Sequence, residues 1–289
     1  MDGILNIYKP VGITSFDVVR TIMKICGTKR VGHTGTLDPL ASGVLPICIG
    51  RATKIVDYIM SESKVYEAEL KLGIKTDTYD REGTITHEAE VKLSHSDILH
   101  AFDSFVGELD QEPPMYSALK VNGKRLYELA KKGIVIEREK RKITIYSLDV
   151  LEISLPLVTF KVTCSKGTYI RSLCYDIGEN LGVGGAMWNL ERIQTGNFNL
   201  KDSVSLDSIN KENVSQFIIP IEEGLSKYDK ISFSSKYEKL LLNGVKINNE
   251  YLIKNIEFNK LYRVYLDEKI FVGLGIRDDV GFKIAKLLV

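Results

Sequence analysis

The sequence has no paired cysteine motif, no long hydrophobic run and no excess of either charge. Its four cysteines (Cys26, Cys48, Cys164, Cys174) are scattered along 289 residues without a C-x-x-C pair. Cys26, Cys48 and Cys174 stand among apolar neighbours, as small core residues do in a reducing compartment. His33, His87, His95 and His100 do not fall at zinc-ligand spacing with the cysteines, so no metal centre is expected. No stretch approaches the length of a membrane span, and the start, M-D-G-I-L-N-I-Y-K-P, lacks the pattern of a signal peptide. A soluble, cytoplasmic protein with no membrane partner is therefore expected. A net charge of +1 leaves nucleic-acid binding to local clusters of cations, because a phosphate backbone feels the nearby patch. There is no internal repeat and no low-complexity tract.

What is present is a stretch of about two domains' length with ordinary amounts of apolar and charged residues. Ile4 to Tyr8 reads as a short strand. Thr14 or Ser15 then caps a helix with Val19, Ile22, Met23 and Cys26 on one face, ended by Gly27. A second amphipathic helix is expected over 51–60. Tyr66, Ala68, Leu70 and Leu72 alternate with charged residues, which predicts a half-buried antiparallel strand over 65–72. By that pattern alone Tyr66 is a core tyrosine. A helix near 96–106 should turn Ile98, Leu99, Phe102 and Phe105 inward, and strands are expected over 143–153 and 157–164. A helix from about Tyr169 buries Ile170, Leu173, Cys174 and Ile177. Arg171 falls in its first turn, off that face, where a guanidinium beside unpaired N–H groups favours an anion. Residues 228–289 change texture, with a helix over 235–242 and short strands near 251–252, 261–266, 271–276 and 282–288.

Two stretches carry the chemistry. Gly32 to Lys54 reads G-H-T-G-T-L-D-P-L-A-S-G-V-L-P-I-C-I-G-R-A-T-K. Its first half is a loop punctuated by glycine and proline, with His33 and Asp38 as the ionisable side chains; Val44 to Ile49 is a buried strand. Taken alone, Asp38-Pro39 is a turn. The second stretch, 111–142, opens with Pro113-Pro114, contains a turn at Asn122-Gly123 and one short helix over 124–132, and is dense in cations. Lys120, Lys124, Arg125, Lys131, Lys132, Arg138, Lys140, Arg141 and Lys142 face only Glu128, Glu137 and Glu139 from Lys120 onward. Most charge runs are solvated faces. Here Met115, Tyr116, Leu119 and Tyr127 are interleaved, and aromatics beside cations suit base stacking plus phosphate contact.

Five stretches in order resemble the TruB family of tRNA pseudouridine-55 synthases. They are G-I-L-N-I-Y-K-P-x-G-I-T-S at 3–15, the 32–54 loop, Y-E-A-E-L-x-L-G-x-x-T-D-T at 66–78, Q-E-P-P-M-Y-S-A-L-K-V-N-G-K-R-L-Y-E-L-A at 111–130, and C-S-K-G-T-Y-I-R-S-L at 164–173. Where the family commonly has an Arg-Arg pair, this chain has Glu191-Arg192. The resemblance implies an α+β fold: a catalytic domain over 1–227 on a large mixed or antiparallel sheet with flanking helices, a thumb inserted at 111–142, and a PUA-like RNA-binding module over 228–289. It also implies that Asp38 is the catalytic carboxylate, that Tyr66 stacks on a flipped-out base, and that Arg171 pairs with Asp38 and lowers its pKa. Lys9, Pro10 and His33 would line the same cleft. Lys120, Lys124, Arg125, Lys131, Lys132, Arg141 and Lys142 would grip the T-arm stem-loop of tRNA. The implied enzyme is an isomerase that needs no cofactor or metal, acts without a guide RNA, and is expected to be a monomer. Two rival readings are a non-catalytic RNA-binding or remodelling protein on this scaffold, and a glycosidase with a pair of carboxylates.

Overall fold

The computed structural model describes residues 1–121 and 123–289, so the turn expected at Asn122-Gly123 lies partly outside the described residues. The chain opens with β1 (Gly3–Lys9), then α1 (Ser15–Cys26), whose Thr14 N-cap and Asp17 form a reciprocal capping box and whose Gly27 closes it in the left-handed region. Next come β2 (Val31–His33) and β3 (Ser42–Ile49). The helix expected over 51–60 is a 3₁₀ turn, Gly50–Ile55, running into α2 (Val56–Met60). Then follow β4 (Lys64–Leu72), β5 (Ile74–Thr76), β6 (Ile85–Glu88), α3 (His95–Asp103) and β7 (Gly107–Gln111). The arm holds β8 (Lys120–Val121), β9 (Lys124–Arg125) and α4 (Leu126–Ala130). After it come β10 (Arg141–Ser154), β11 (Leu157–Cys164), α5 (Ile170–Asn180), β12 (Gly185–Thr195), β13 (Phe198–Asn199) and β14 (Val204–Ser205).

These strands build one ten-stranded sheet in the order β14-β1-β3-β12-β4-β11-β10-β7, with β2 and β13 added to β3 and β12. The pairs β1–β14 and β3–β12 are parallel and the rest antiparallel, a mixed sheet in an α+β chain. The alternation read from sequence puts Tyr66, Ala68, Leu70, Val158, Phe160 and Val162 in one core with the buried faces of α1, α3 and α5. Leu99 departs from expectation: it is exposed, because α3 turns Ile98, Ala101 and Phe102 inward.

The last segment forms a four-stranded sheet from β15 (Asp229–Phe233), β16 (Leu261–Leu266), β17 (Ile270–Asp278) and β18 (Gly281–Leu287), with α6 (Glu238–Leu242) and α7 (Glu250–Ile253) between β15 and β16. Tyr251 and Leu252, expected in a strand, lie in α7, where Asn249 caps the first turn. Leu274 and Leu288 pack with Ile4, Val44, Cys48 and Ala52, so the small sheet covers the back of β1 and β3.

One rung of the large sheet brings side chains from distant strands to one place. Lys9 of β1 pairs with Gly43 of β3, Gly43 with Arg192 of β12, Arg192 with Tyr66 of β4, and Tyr66 with Val162 of β11. Residues directly opposite across strands share a face, so Lys9, Arg192 and Tyr66 point to the same side. Gly43 makes the rung possible. Its φ is +107°, and a Cβ there would lie 2.3 Å from the Arg192 carbonyl oxygen. Gly178 does the same for the helix behind: a Cβ on it would meet the Gly185 nitrogen at 2.1 Å, so α5 lies directly on β12.

Candidate active site

Asp38 projects from the loop between β2 and β3, and the surroundings of that loop explain its rigidity. Ser15, at the start of α1, donates through Oγ to the Leu37 carbonyl (3.0 Å) and accepts from the Leu37 N–H (2.8 Å). The Gly12 N–H donates to the Pro39 carbonyl at 2.8 Å. The Lys9 ammonium, fully buried, donates to the carbonyls of Pro10 and Ile13 (both 2.8 Å) and, at 3.5 Å, of Pro39. Burial lowers the Lys9 pKa to about 8, partly opposed by Asp38. Pro10 thus serves through its carbonyl. His33, expected in a loop, is the last residue of β2, and its Nδ1 accepts from the Gly35 N–H at 3.3 Å. Burial, with help from Arg192, holds its imidazole below the usual histidine range, hence neutral at neutral pH.

Arg171 sits in the first turn of α5 and reaches Asp38, Nε to Oδ2 at 2.9 Å. Off the apolar face does not mean open to solvent here: Arg171 is 5% exposed. Its Nη1 lies 3.4 Å from Asp80 Oδ2 and donates to the Thr78 carbonyl (3.3 Å); its Nη2 donates to the Tyr116 carbonyl (2.8 Å). Acceptors are thereby arranged around every nitrogen of one planar fork. The start of α5 is itself locked, since Gln111 accepts from the Tyr169 N–H (2.8 Å) and donates to its carbonyl (3.0 Å). Ser172 Oγ adds a bond to the Glu112 carbonyl at 2.8 Å. The root of the arm and the helix bearing Arg171 are therefore one unit.

The Asp38 carboxyl sits above its ordinary range, against the direction expected from Arg171. Burial is the largest influence; Arg171 and Lys9 pull it down, and Asp80 pushes it up. Burial is why pairing does not prevail, and Asp80, which shares Arg171 with Asp38, adds to it. About 35% of the Asp38 side chain still faces solvent, against 6% for Asp80. Asp38 is the reachable one.

Tyr66 lies on β4, 8% exposed, and its ring packs in the main core. Burial raises its phenol above the usual range while the positive charge of Arg192, its cross-strand partner, opposes the rise. Asp38, Lys9, Pro10, His33, Tyr66 and Arg171 are thus gathered by the loop, the rung and α5. The arm cations are elsewhere. Lys120, Lys124, Arg125, Lys131 and Lys132 are on the arm, outside the core, with Tyr127 near both Arg125 and Lys131. Arg141 and Lys142 are exposed at the start of β10, where Arg141 pairs with Gln111. Arg138 is occupied by an ion pair with Glu112.

Sequence reasoning missed three residues. Asp80 is presented by Tyr79, whose φ of +64° is uncommon outside glycine and whose ring stacks on Tyr175 at 4.1 Å. It accepts from Thr78 Oγ1 (2.6 Å) and the Glu82 N–H (3.0 Å). Its place two residues beyond T-D-T was the available signal. Arg192 is 1% exposed and donates to the carbonyls of Val44 (2.7 Å) and Gly35 (3.1 Å). Gln111 is the third.

A family model described as the TruB family pseudouridylate synthase N-terminal domain matches residues 23–170, and one for the tRNA pseudouridylate synthase B C-terminal domain matches 171–226. A tRNA pseudouridine synthase B of Clostridium novyi (strain NT) is 58% identical over 289 residues, covering 100% of each chain. One of Clostridium kluyveri is 57% identical over 289 residues, with 100% of each covered. Among solved structures, one of a Cbf5-Nop10-Gar1 complex shares 27% identity at a TM-score of 0.76, covering 99% of this chain and 85% of that one. With both domain models and full-length relatives above half identity, this chain belongs to the TruB family of pseudouridine synthases.

Proposed function

We propose that this chain isomerises uridine-55 in the T-loop of tRNA to pseudouridine, with Asp38 as the catalytic carboxylate. The observation that carries the reading is the Asp38–Arg171 pair at 2.9 Å, open on the Asp38 side and closed behind by Asp80, in a chain of this family. The reaction breaks N1–C1′, turns the uracil, joins C5 to C1′, releases the C5 proton and leaves a proton on N1. It exchanges no electrons with another molecule. One carboxylate serves either by attacking sugar or base or by taking a sugar proton in an elimination. Arg171 fixes the orientation of the carboxylate in both routes.

Tyr66 supplies a flat surface for the uracil, and His33, Lys9 and Pro10 complete the cleft wall. The target base must first leave its stack at a cost of a few kcal/mol, offset by that aromatic surface and by polar contacts to its edge. The cations of the arm grip the T-arm stem, with loop bases supplying sequence information. On this reading residues 1–227 are the catalytic domain and 228–289 a PUA-like RNA-binding module. The protein works as a monomer in the cytoplasm, reading its RNA directly rather than through a guide.

A paired-carboxylate glycosidase needs a second carboxyl free to act across the substrate. Asp80 is the nearby second acid, and it is buried and committed to Arg171, Thr78 and the Glu82 N–H. The deciding experiment maps pseudouridine in total tRNA with the protein removed, restored, and restored as Asp38→Asn. The site at 55 should vanish, return, and stay absent in turn. Uracil release from free uridine with no isomerised RNA would overturn the reading.

A further inference from the structure

The start of α5 is bonded to the arm at three positions. Gln111 brackets Tyr169, accepting from its N–H (2.8 Å) and donating to its carbonyl (3.0 Å); Arg171 donates to the Tyr116 carbonyl and Ser172 to that of Glu112. The other two long helices begin differently. α1 and α3 open in capping boxes built from their own residues, Thr14 with Asp17 and Ser94 with Asp97. Tyr169, the N-cap of α5, caps nothing with its side chain among the described residues. Its bracket comes from 58 residues away, and from a particular place. Gln111 ends β7 and pairs with Arg141, which begins β10, so the two form the rung from which the arm leaves the sheet. At 4% exposure, Gln111 cannot be replaced there by water.

We propose that Gln111 is a positioning residue that transmits the seating of the arm to Arg171, and so sets how firmly Arg171 holds Asp38. A side-chain amide suits the post because it presents an acceptor and a donor in one plane, the complement of one residue's N–H and C=O. Arg171 stands two residues beyond Tyr169, about 3 Å along the helix axis. Its Nε reaches Asp38 at 2.9 Å, a bond that weakens once the partners drift past about 3.2 Å. Freeing the helix start would leave the Asp38 carboxyl with Lys9 as its remaining favourable charge, facing burial and Asp80. The consequence reaches RNA binding. Phosphate contacts made by the arm, outside the cleft, then hold Arg171 in register during the chemical step. Remote binding energy used in this way raises a rate rather than an affinity.

This role rests on the reaction and the site assigned above, and its first readout needs neither RNA nor turnover. In the full chain, the Asp38 carboxyl is titrated by ¹³C NMR in the parent, Gln111→Met and Gln111→Glu. Gln111→Met keeps the bulk and drops both polar groups, so the Asp38 midpoint should rise by about one pH unit as Arg171 loosens. Single-turnover rates and Kd are then measured on T-arm stem-loops with a full stem and with a stem trimmed to its loop-closing pairs. At saturating RNA the parent should turn over the full stem about tenfold faster than the trimmed one. Gln111→Met should be about 30-fold slower than the parent on the full stem, with Kd within about threefold, and should gain nothing from stem length. Gln111→Glu, which keeps an acceptor for the Tyr169 N–H, should lie between the two. An Asp38 midpoint unmoved in folded Gln111→Met overturns the proposal, as does a rate that falls only in step with Kd. A parent that turns over both stems equally, or a variant that keeps the gain from the longer stem, overturns it as well. If Gln111→Met does not fold, an unmoved midpoint in Gln111→Glu overturns it. If the parent isomerises nothing, the assigned reaction fails while the NMR titration still decides whether Gln111 holds the Asp38–Arg171 pair.

Discussion

In the cleft, Asp38, Arg171, Arg192 and Lys9 are held by bonds between strands, loops and helices far apart in sequence; in the arm, the cations stand on two-residue strands and just past the end of a five-residue helix. Elements that short are not stable alone. The arm is tied down by buried Met115 and Leu126, by Arg138 with Glu112, and by the Tyr116 carbonyl on Arg171. Reacting atoms need sub-ångström placement, whereas phosphates on a long backbone accept a looser hand. The two regions differ as their proposed tasks do, and they meet at Arg171.

The largest effect that would test this division is Asp38→Asn. It should reduce isomerisation by about 10⁴-fold or more while leaving the Kd for tRNA within about threefold. Because the folded-state pKa of Asp38 is raised, its ionised form costs stability at neutral pH, and that cost disappears as pH falls below the unfolded value. The Asn variant should therefore melt no lower than the parent at pH 7; a clearly lower Tm would mean the Arg171 pair prevails after all. Next is Gly43→Ala, which forces a side chain into the Arg192 backbone at a positive φ. A loss of about 1–3 kcal/mol in denaturant unfolding is expected, with a rate loss larger than stability explains.

A smaller effect should appear in pH–rate profiles under single-turnover conditions. Activity should fall on the acid side at a pH above the ordinary carboxylate range, as Asp38 takes up a proton. It should fall again near pH 8, where Lys9 loses the proton that ties Pro39. A flat profile to pH 9 would detach Lys9 from the loop. The smallest change in turnover belongs to the arm. Replacing Lys124, Arg125, Lys131 and Lys132 with Gln should weaken binding and lower its salt slope by about 0.7–0.9 for each phosphate no longer neutralised. The rate at saturating RNA should hold. An unchanged salt slope would move the RNA footprint off the arm.

Much of the scaffold is legible from periodicity. The alternation over β4 and β11 and the capped, glycine-ended α1 follow from local pattern. Leu99 and Tyr251 depart from expectation because a few residues cannot distinguish the inward side of a short helix, or a helix from a strand. Within the site, Asp38, Arg171, Tyr66 and Lys9 stand in contiguous motifs. Asp80 and Arg192 do not declare themselves in that way. Arg192 gains its meaning from lying opposite both Tyr66 and Gly43, and nothing local encodes that register. The raised pKa of Asp38 was hidden for the same reason, since burial and Asp80 are both products of tertiary structure.

The rung through Lys9, Gly43, Arg192 and Tyr66 also sets an order in time. A protein is made from its N-terminus, so Lys9, Asp38 and Tyr66 leave the ribosome long before Arg171 and Arg192. Until β12 slides between β3 and β4, those two strands have no shared neighbour and the cleft has no floor. The nascent chain is thus an inert precursor for most of its synthesis. A two-residue slip of β12 would keep the same side chains facing the core while carrying Arg192 about 7 Å away. The glycines Gly43, Gly178 and Gly185 oppose such a slip, because each sits where a Cβ would meet a neighbouring strand or helix below 3 Å.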